Sequence, residues 1–109
     1  MDEKFTLSYL PLFEQDLAGA RDYIAYTLQN PTAALRLVED TEKAVVKRLD
    51  NPLGYSPYKC IKDRRQLYYR INIRNYTVFY VVIGNVMEVR RFVYSKRNLP
   101  EIARREFKV

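Results

Sequence analysis

The sequence predicts an α+β fold in which an N-terminal helical hairpin packs against an antiparallel sheet. Apolar residues recur at helical spacing through the first half of the chain, and apolar and polar residues alternate through much of the second half. The length of 109 residues suits one domain with a single core. Because no internal repeat or change in composition divides the chain, residues 1–109 are predicted to form one domain with the order β-α-α-β-β-β-α.

The first predicted elements are a short strand and an amphipathic helix. Alternation of apolar and polar residues predicts the strand over residues 4–9. Pro11 ends this strand, and apolar residues at steps of four and seven then predict a helix over residues 11–28. Proline is tolerated in a first helical turn, so the helix is expected to begin there. The side chains expected on one face of the strand are Phe5, Leu7 and Tyr9.

A second helix is predicted to begin at the Asn30-Pro31 step, because asparagine caps helix N-termini and proline fits the first helical position. It runs to about residue 49, and the turn-forming sequence Asn51-Pro52-Leu53-Gly54 then stops it. The short break between two helices of similar length implies an antiparallel hairpin. The predicted buried stripe of the second helix consists of Ala34, Leu35, Val38, Val45 and Leu49.

Three strands are predicted after a basic loop over residues 55–65, since β-branched and aromatic residues then alternate with polar ones. A final short helix, capped by Asn98 and carrying Ile102 and Phe107, should follow them. The predicted strands cover residues 67–73, 76–83 and 86–94, with turns at Arg74-Asn75 and Gly84-Asn85. The inward-facing side chains of the first of these strands are predicted to be Leu67, Tyr69, Ile71 and Ile73.

Composition excludes several kinds of site. The chain has no histidine and a single cysteine, Cys60, which excludes histidine catalysis, the usual zinc sites and an intramolecular disulfide. We therefore predict no metal and no cofactor. No apolar run approaches the roughly 20 residues of a membrane span, and the N-terminus is acidic where a signal peptide is basic. The sequence predicts a cytoplasmic protein with no membrane contact.

Charge is divided unevenly along the chain. The net charge is +6, yet residues 1–52 hold six basic and nine acidic residues, whereas residues 53–109 hold thirteen basic and four acidic residues. The first half therefore carries −3 and the second half +9, and seven of the ten tyrosines also lie in the second half. A basic, tyrosine-rich surface of this kind favours an anionic partner, either a nucleic acid or an acidic protein.

The order and spacing of several short segments resemble the RelE/ParE superfamily of toxins from type II toxin–antitoxin systems. The resemblance extends over essentially the whole chain. The segments that carry it are Asp16-Leu17, Tyr23-Ile24, Asn30-Pro31, Ala33-Ala34, Asn51-Pro52-Leu53-Gly54, Tyr69-Arg70-Ile71, Tyr76-Thr77-Val78-Phe79-Tyr80 and Val89-Arg90-Arg91-Phe92-Val93-Tyr94.

The resemblance implies a growth-inhibiting toxin that a cognate antitoxin with an acidic, partly disordered tail neutralises in a hetero-oligomer. The long helical hairpin is similar to that of ParE-like members, which poison DNA gyrase. RelE-like members instead cleave messenger RNA on the ribosome, so a metal-free endoribonuclease is the alternative function. A basic adaptor that has lost activity is a third reading.

The RelE resemblance implies a set of candidate catalytic residues. The positions of the nuclease site fall on Arg70, in the first strand of the meander, and on Arg97, in the loop after the last strand. Tyr94 precedes that loop and is the candidate for the tyrosine of the site. The other positions of the pattern hold Asn72, Thr77 and Ala103.

Cations in the second half are the candidate binding residues. The adjacent Arg90 and Arg91 should point to opposite faces of a strand, so we expect one to form an ion pair, with Asp16 as the proposed partner, and the other to serve function. Glu88 is predicted either as a base or as the partner of an arginine. The candidate binding residues are Lys59, Lys62, Arg64, Arg65, Arg90, Arg91 and Lys96.

Overall fold

The computed structural model of the protein describes residues 4–59 and 65–95. Two helices and four strands build it, in an order that agrees with the predicted α+β class. The predicted C-terminal helix with Asn98, Ile102 and Phe107 lies outside the described residues. The elements are β1 (Thr6–Tyr9), α1 (Pro11–Asp22), α2 (Pro31–Arg48), β2 (Tyr69–Ile73), β3 (Tyr76–Ile83) and β4 (Val86–Tyr94).

The sheet has the strand order β1-β4-β3-β2. The predicted antiparallel meander is confirmed for β2, β3 and β4, whereas β1 pairs with β4 in parallel, so the sheet is mixed. The chain leaves β1 through both helices before it returns to the sheet, and this long connection allows a parallel neighbour. Local alternation predicts a strand at β1 but does not identify its partner.

Local sequence signals explain both helix starts. Pro11 occupies the first turn of α1, and the Asn30 side chain accepts a hydrogen bond from the Ala33 backbone N–H at 3.1 Å, which caps α2 as predicted. Between the helices, α1 continues as a π-helical turn over Tyr23–Thr27. Gln29 then adopts a positive φ of 51° as the chain reverses.

The main core lies between the hairpin and one face of the sheet. It contains Phe13, Val45 and Tyr80, each almost fully buried. The predicted stripe of α2 is wrong at Leu35, which is 59% exposed, because the stripe instead passes through Leu37 and Thr41 at helical spacing. A smaller cluster on the other face of the sheet contains Tyr68, Phe79, Val81 and Val93.

Two further predictions concern the ends of elements. The sequence predicts that Leu67 faces inward on the first meander strand, and this is wrong, because β2 begins two residues later and Leu67 is 62% exposed. The predicted bounds of β3 and β4 are confirmed, and Gly84 has the positive φ of 60° that their tight turn requires. Within the described residues, no helix combines the length and apolar character that a membrane span needs.

Candidate functional site

The two faces of the sheet present different side chains. We call the face that packs on α1 and α2 the helix face, and it carries Ile71, Val78 and Phe92. Side chains alternate along a strand, and residues paired between strands share a face. Phe79 and Val93 therefore lie on the opposite face, where they belong to a separate buried cluster. We call this opposite face the outer face.

Arg70 lies on the outer face. It pairs with Phe79 in the register of β2 and β3, and its side chain is exposed. The guanidinium lies 4.4 Å from the centroid of the Tyr58 ring, a cation–π distance. The predicted catalytic arginine is therefore held at the surface by an aromatic side chain of the preceding loop.

A neutral hydrogen-bonded cluster lies on the same face. The Thr77 hydroxyl donates to Oδ1 of Asn72 at 3.1 Å, and it lies 2.8 Å from the Ser95 hydroxyl. Asn72 and Thr77 are two of the positions at which this sequence lacks the residues of the RelE pattern. Since amide and hydroxyl groups remain uncharged near pH 7, the cluster brings no ionised group to Arg70.

Tyr94 lies on the helix face. Its ring makes an edge contact with Tyr76 at 5.5 Å, and Tyr76 stacks on Phe92 at 4.7 Å. Together with Tyr23 and Ile24 they line a groove of about 760 Å³ between α1 and β4. The structure therefore separates two of the candidate catalytic residues, because Arg70 and Tyr94 face opposite sides of the sheet. Arg97, the third, lies outside the described residues.

The predicted ion pair between Asp16 and an arginine of β4 is confirmed at Arg91. Nε and Nη2 of Arg91 donate to the two carboxylate oxygens of Asp16 at 2.7 and 3.0 Å. Oδ2 of Asp16 also accepts the backbone N–H of Phe92 at 3.1 Å. Both side chains are largely buried, so this pair joins α1 to β4.

The candidate binding residue Arg90 is hydrogen-bonded within the folded chain, and its role in binding stays a prediction. Its Nε donates to Glu88 at 2.8 Å and its Nη1 donates to the Tyr68 hydroxyl at 2.7 Å. Burial opposes the charged form, but these two hydrogen bonds outweigh it and raise the pKa of the Arg90 guanidinium. Of the two roles predicted for Glu88, a base or the partner of an arginine, the structure shows the second.

A β-bulge in β4 lies at Arg90 and Arg91, both of which form ion pairs. Tyr80 pairs with Val89 and Phe79 pairs with Arg91, which leaves Arg90 as an additional residue of β4. The extra residue breaks the strict alternation on which the prediction of opposite faces depended.

The other candidate binding residues divide into two groups. Lys59 and Arg65 are exposed in the loop before β2. Their role in binding stays a prediction. The candidates that lie outside the described residues are Lys62, Arg64 and Lys96.

Sequence reasoning missed a cluster at the C-terminus of α2. The guanidinium of Arg48 lies 3.5 Å from the centroid of the Tyr55 ring and donates to the Tyr80 hydroxyl at 3.0 Å and the Arg70 carbonyl at 3.2 Å. The Tyr80 hydroxyl donates in turn to the Pro52 carbonyl at 2.8 Å. The sequence does contain a signal for this cluster. Arg48 lies in the last turn of the helix, and Tyr55 directly follows the turn-forming sequence Asn51-Pro52-Leu53-Gly54.

A second groove lies between the two helices, and we call it the hairpin groove. Its volume is about 410 Å³. Its apolar surface is formed by Phe13, Leu17 and Val38, and its polar border by Glu14 and Glu42. Within the described residues, no cluster of histidine, cysteine or carboxylate side chains could hold a metal ion.

Comparisons with known proteins agree with this architecture. Residues 7–99 match the family described as ParE toxin of type II toxin-antitoxin system, parDE. Among solved structures, the chain is similar to one from the chromosomal ParDE TA system from P. aeruginosa, with a TM-score of 0.68 and 17% identity. That similarity covers 86% of this chain and 99% of the other, and at this identity it shows a shared fold. No curated protein matches the sequence significantly.

Proposed function

Because the chain belongs to the ParE family of toxins from type II toxin–antitoxin systems, we propose that it arrests growth by binding DNA gyrase and that a cognate antitoxin neutralises it. Both encounters take place in the cytoplasm, and the neutralised form is a toxin–antitoxin hetero-oligomer. The toxin acts by binding and needs no cofactor.

The observation that carries the gyrase target is the separation of Arg70 from Tyr94. Cleavage of RNA through its 2′-hydroxyl requires a base, an acid and charge stabilisation around one phosphate. Arg70 lies on the outer face and Tyr94 on the helix face, so one phosphate cannot contact both. The neutral cluster of Asn72, Thr77 and Ser95 beside Arg70 also supports a toxin that binds a protein.

The antitoxin is proposed to contact the basic half of the chain. Residues 53–109 carry a net charge of +9, and the described part of this half exposes Lys59, Arg65 and Arg70. An acidic tail that folds on binding would pair with such cations and also bury apolar toxin surface. We therefore expect the complex to persist at salt concentrations that dissociate a contact made only through charge.

Expression of the chain without its antitoxin tests the target. We expect growth arrest with an induced DNA-damage response and intact transcripts, together with inhibition of supercoiling when the purified chain is added to purified gyrase. Arrest with transcripts cut at codons of translated regions would contradict the gyrase target and support the endoribonuclease. Expression without any growth arrest would contradict both toxin activities and support the third reading, a basic adaptor that has lost activity.

Two substitutions test the nuclease alternative directly. Tyr94→Phe removes only a hydroxyl and Arg97→Ala removes a guanidinium, so a toxin that acts on gyrase should arrest growth equally well with either. The measurement is colony formation after induction, with expression levels matched by immunoblot. Loss of both growth arrest and transcript cleavage in the two variants would contradict the gyrase target and support the endoribonuclease.

A further inference from the structure

The hairpin groove differs in charge from the basic half of the chain. Phe13 is buried at its base, and the partly buried Leu17 and Val38 complete an apolar surface between α1 and α2. Glu14 and Glu42, one from each helix, are exposed at its border. An apolar depression with two carboxylates beside it can receive an apolar side chain and a neighbouring cation at the same time.

The lining of this groove carries more negative than positive charge, with two carboxylates and one guanidinium. Neither Glu14 nor Glu42 has an ion-pair partner within the described part of the chain. Arg21 also lines the groove, but its Nε already pairs with Asp22 at 3.0 Å. The two carboxylates are therefore available to a cation supplied by a partner.

The charges of both carboxylates affect Tyr9, which also lines the groove. Burial raises the pKa of the Tyr9 hydroxyl, and the charges of Glu42 and Glu14 raise it further. Since Tyr9 itself lines the groove, both glutamates act on the same group within it.

We propose that the hairpin groove binds a segment of the toxin's protein target in which an apolar side chain is flanked by lysine or arginine. This inference rests on the proposed function only in requiring a protein target. An acidic antitoxin tail and a nucleic acid both carry negative charge, which Glu14 and Glu42 repel. The acidic groove therefore favours a cationic segment over both, and we expect the target and the antitoxin to bind surfaces of opposite sign.

The test measures the affinity of the purified full chain for purified DNA gyrase by surface plasmon resonance, at low and at physiological salt. The variant carries Glu14→Gln and Glu42→Gln, which remove two charges with little change in shape. We expect roughly tenfold weaker binding at low salt and a smaller difference at physiological salt, because salt screens exposed charges. Affinity for the antitoxin should not weaken.

Glu39→Gln is the matched control, since Glu39 is an exposed glutamate of α2 outside the groove. It should bind gyrase like the unsubstituted chain, and urea unfolding should show that all variants fold. Equal affinity of the double variant and the unsubstituted chain would overturn the inference while leaving the gyrase target intact.

If the unsubstituted chain itself fails to bind gyrase, the proposed target is wrong, and growth arrest then tests the groove. Arrest that the double variant loses, with antitoxin affinity unchanged, would support a target segment in the groove. Arrest that the double variant retains in full would overturn it.

Discussion

At the scale of single residues, Asp16 bonds to both a backbone N–H and a cation of β4. The parallel pairing of β1 with β4 ends at Tyr9 and Val89, so β4 continues past the end of its neighbour. The Asp16 carboxylate accepts the N–H of Phe92 beyond that point, and it also pairs with Arg91. One side chain of α1 thus supplies the acceptor that an adjacent strand would have provided and neutralises a largely buried cation.

Asp16→Asn should lower the free energy of unfolding by about 2 kcal/mol, because it removes the carboxylate charge that faces the largely buried Arg91 guanidinium. Urea denaturation followed by circular dichroism measures this loss. Asp22→Asn is the control, since the Arg21–Asp22 pair is about half exposed and should contribute less than about 0.5 kcal/mol. Similar losses in the two variants would contradict a structural role specific to Asp16.

At the scale of elements, the helical hairpin depends on the chemistry of its turn. The π-helical turn over Tyr23–Thr27 and the left-handed Gln29 reverse the chain, and the Asn30 side chain then caps α2. The cap matters because the first turn of a helix has backbone N–H groups without intrahelical partners. The hairpin in turn holds the two borders of its groove, one glutamate from each helix, in a common position.

Asn30→Ala should destabilise the protein by about 1 kcal/mol, because it removes the acceptor of the Ala33 N–H. The measurement is the midpoint and slope of urea unfolding. Thr32→Ala changes an exposed residue of the same turn and should have little effect. An unchanged midpoint for Asn30→Ala would show that water replaces the cap at no cost.

At the scale of the whole molecule, buried tyrosines couple the fold to alkaline pH. Burial is the largest cause that raises the pKa values of Tyr9, Tyr76 and Tyr80 above the ordinary 10.0. A group whose pKa is raised by folding holds its proton more tightly in the native state. Its contribution to stability is therefore complete below the unfolded pKa and decreases as pH rises through the folded pKa.

We expect the free energy of unfolding to fall as pH rises above about 10, since the unfolded chain then releases phenolic protons that the native state retains. Tyr80→Phe should flatten this decline and also cost about 1 kcal/mol at neutral pH, because the Pro52 carbonyl loses its donor. Tyr26→Phe is the control, as Tyr26 is 78% exposed. A decline equally steep in Tyr80→Phe would contradict the role of its burial.

Features that depend on neighbouring residues can be predicted from the sequence. The cap at Asn30, the Gly84-Asn85 turn and the bounds of β3 and β4 follow from local propensities, and each prediction is confirmed. An ion pair between Asp16 and one arginine of β4 was also predicted, but the bulge breaks the alternation behind that prediction, and the structure identifies the arginine as Arg91.

Features that depend on residues distant along the chain become visible once the helices and strands are packed together. The parallel partner of β1 and the β-bulge that brings Arg90 to Glu88 follow from how the elements pack. The placement of Arg70 and Tyr94 on opposite faces likewise required the strand register. The hairpin groove required both helices, because its two glutamates are 28 positions apart in the sequence and come together only when the hairpin closes.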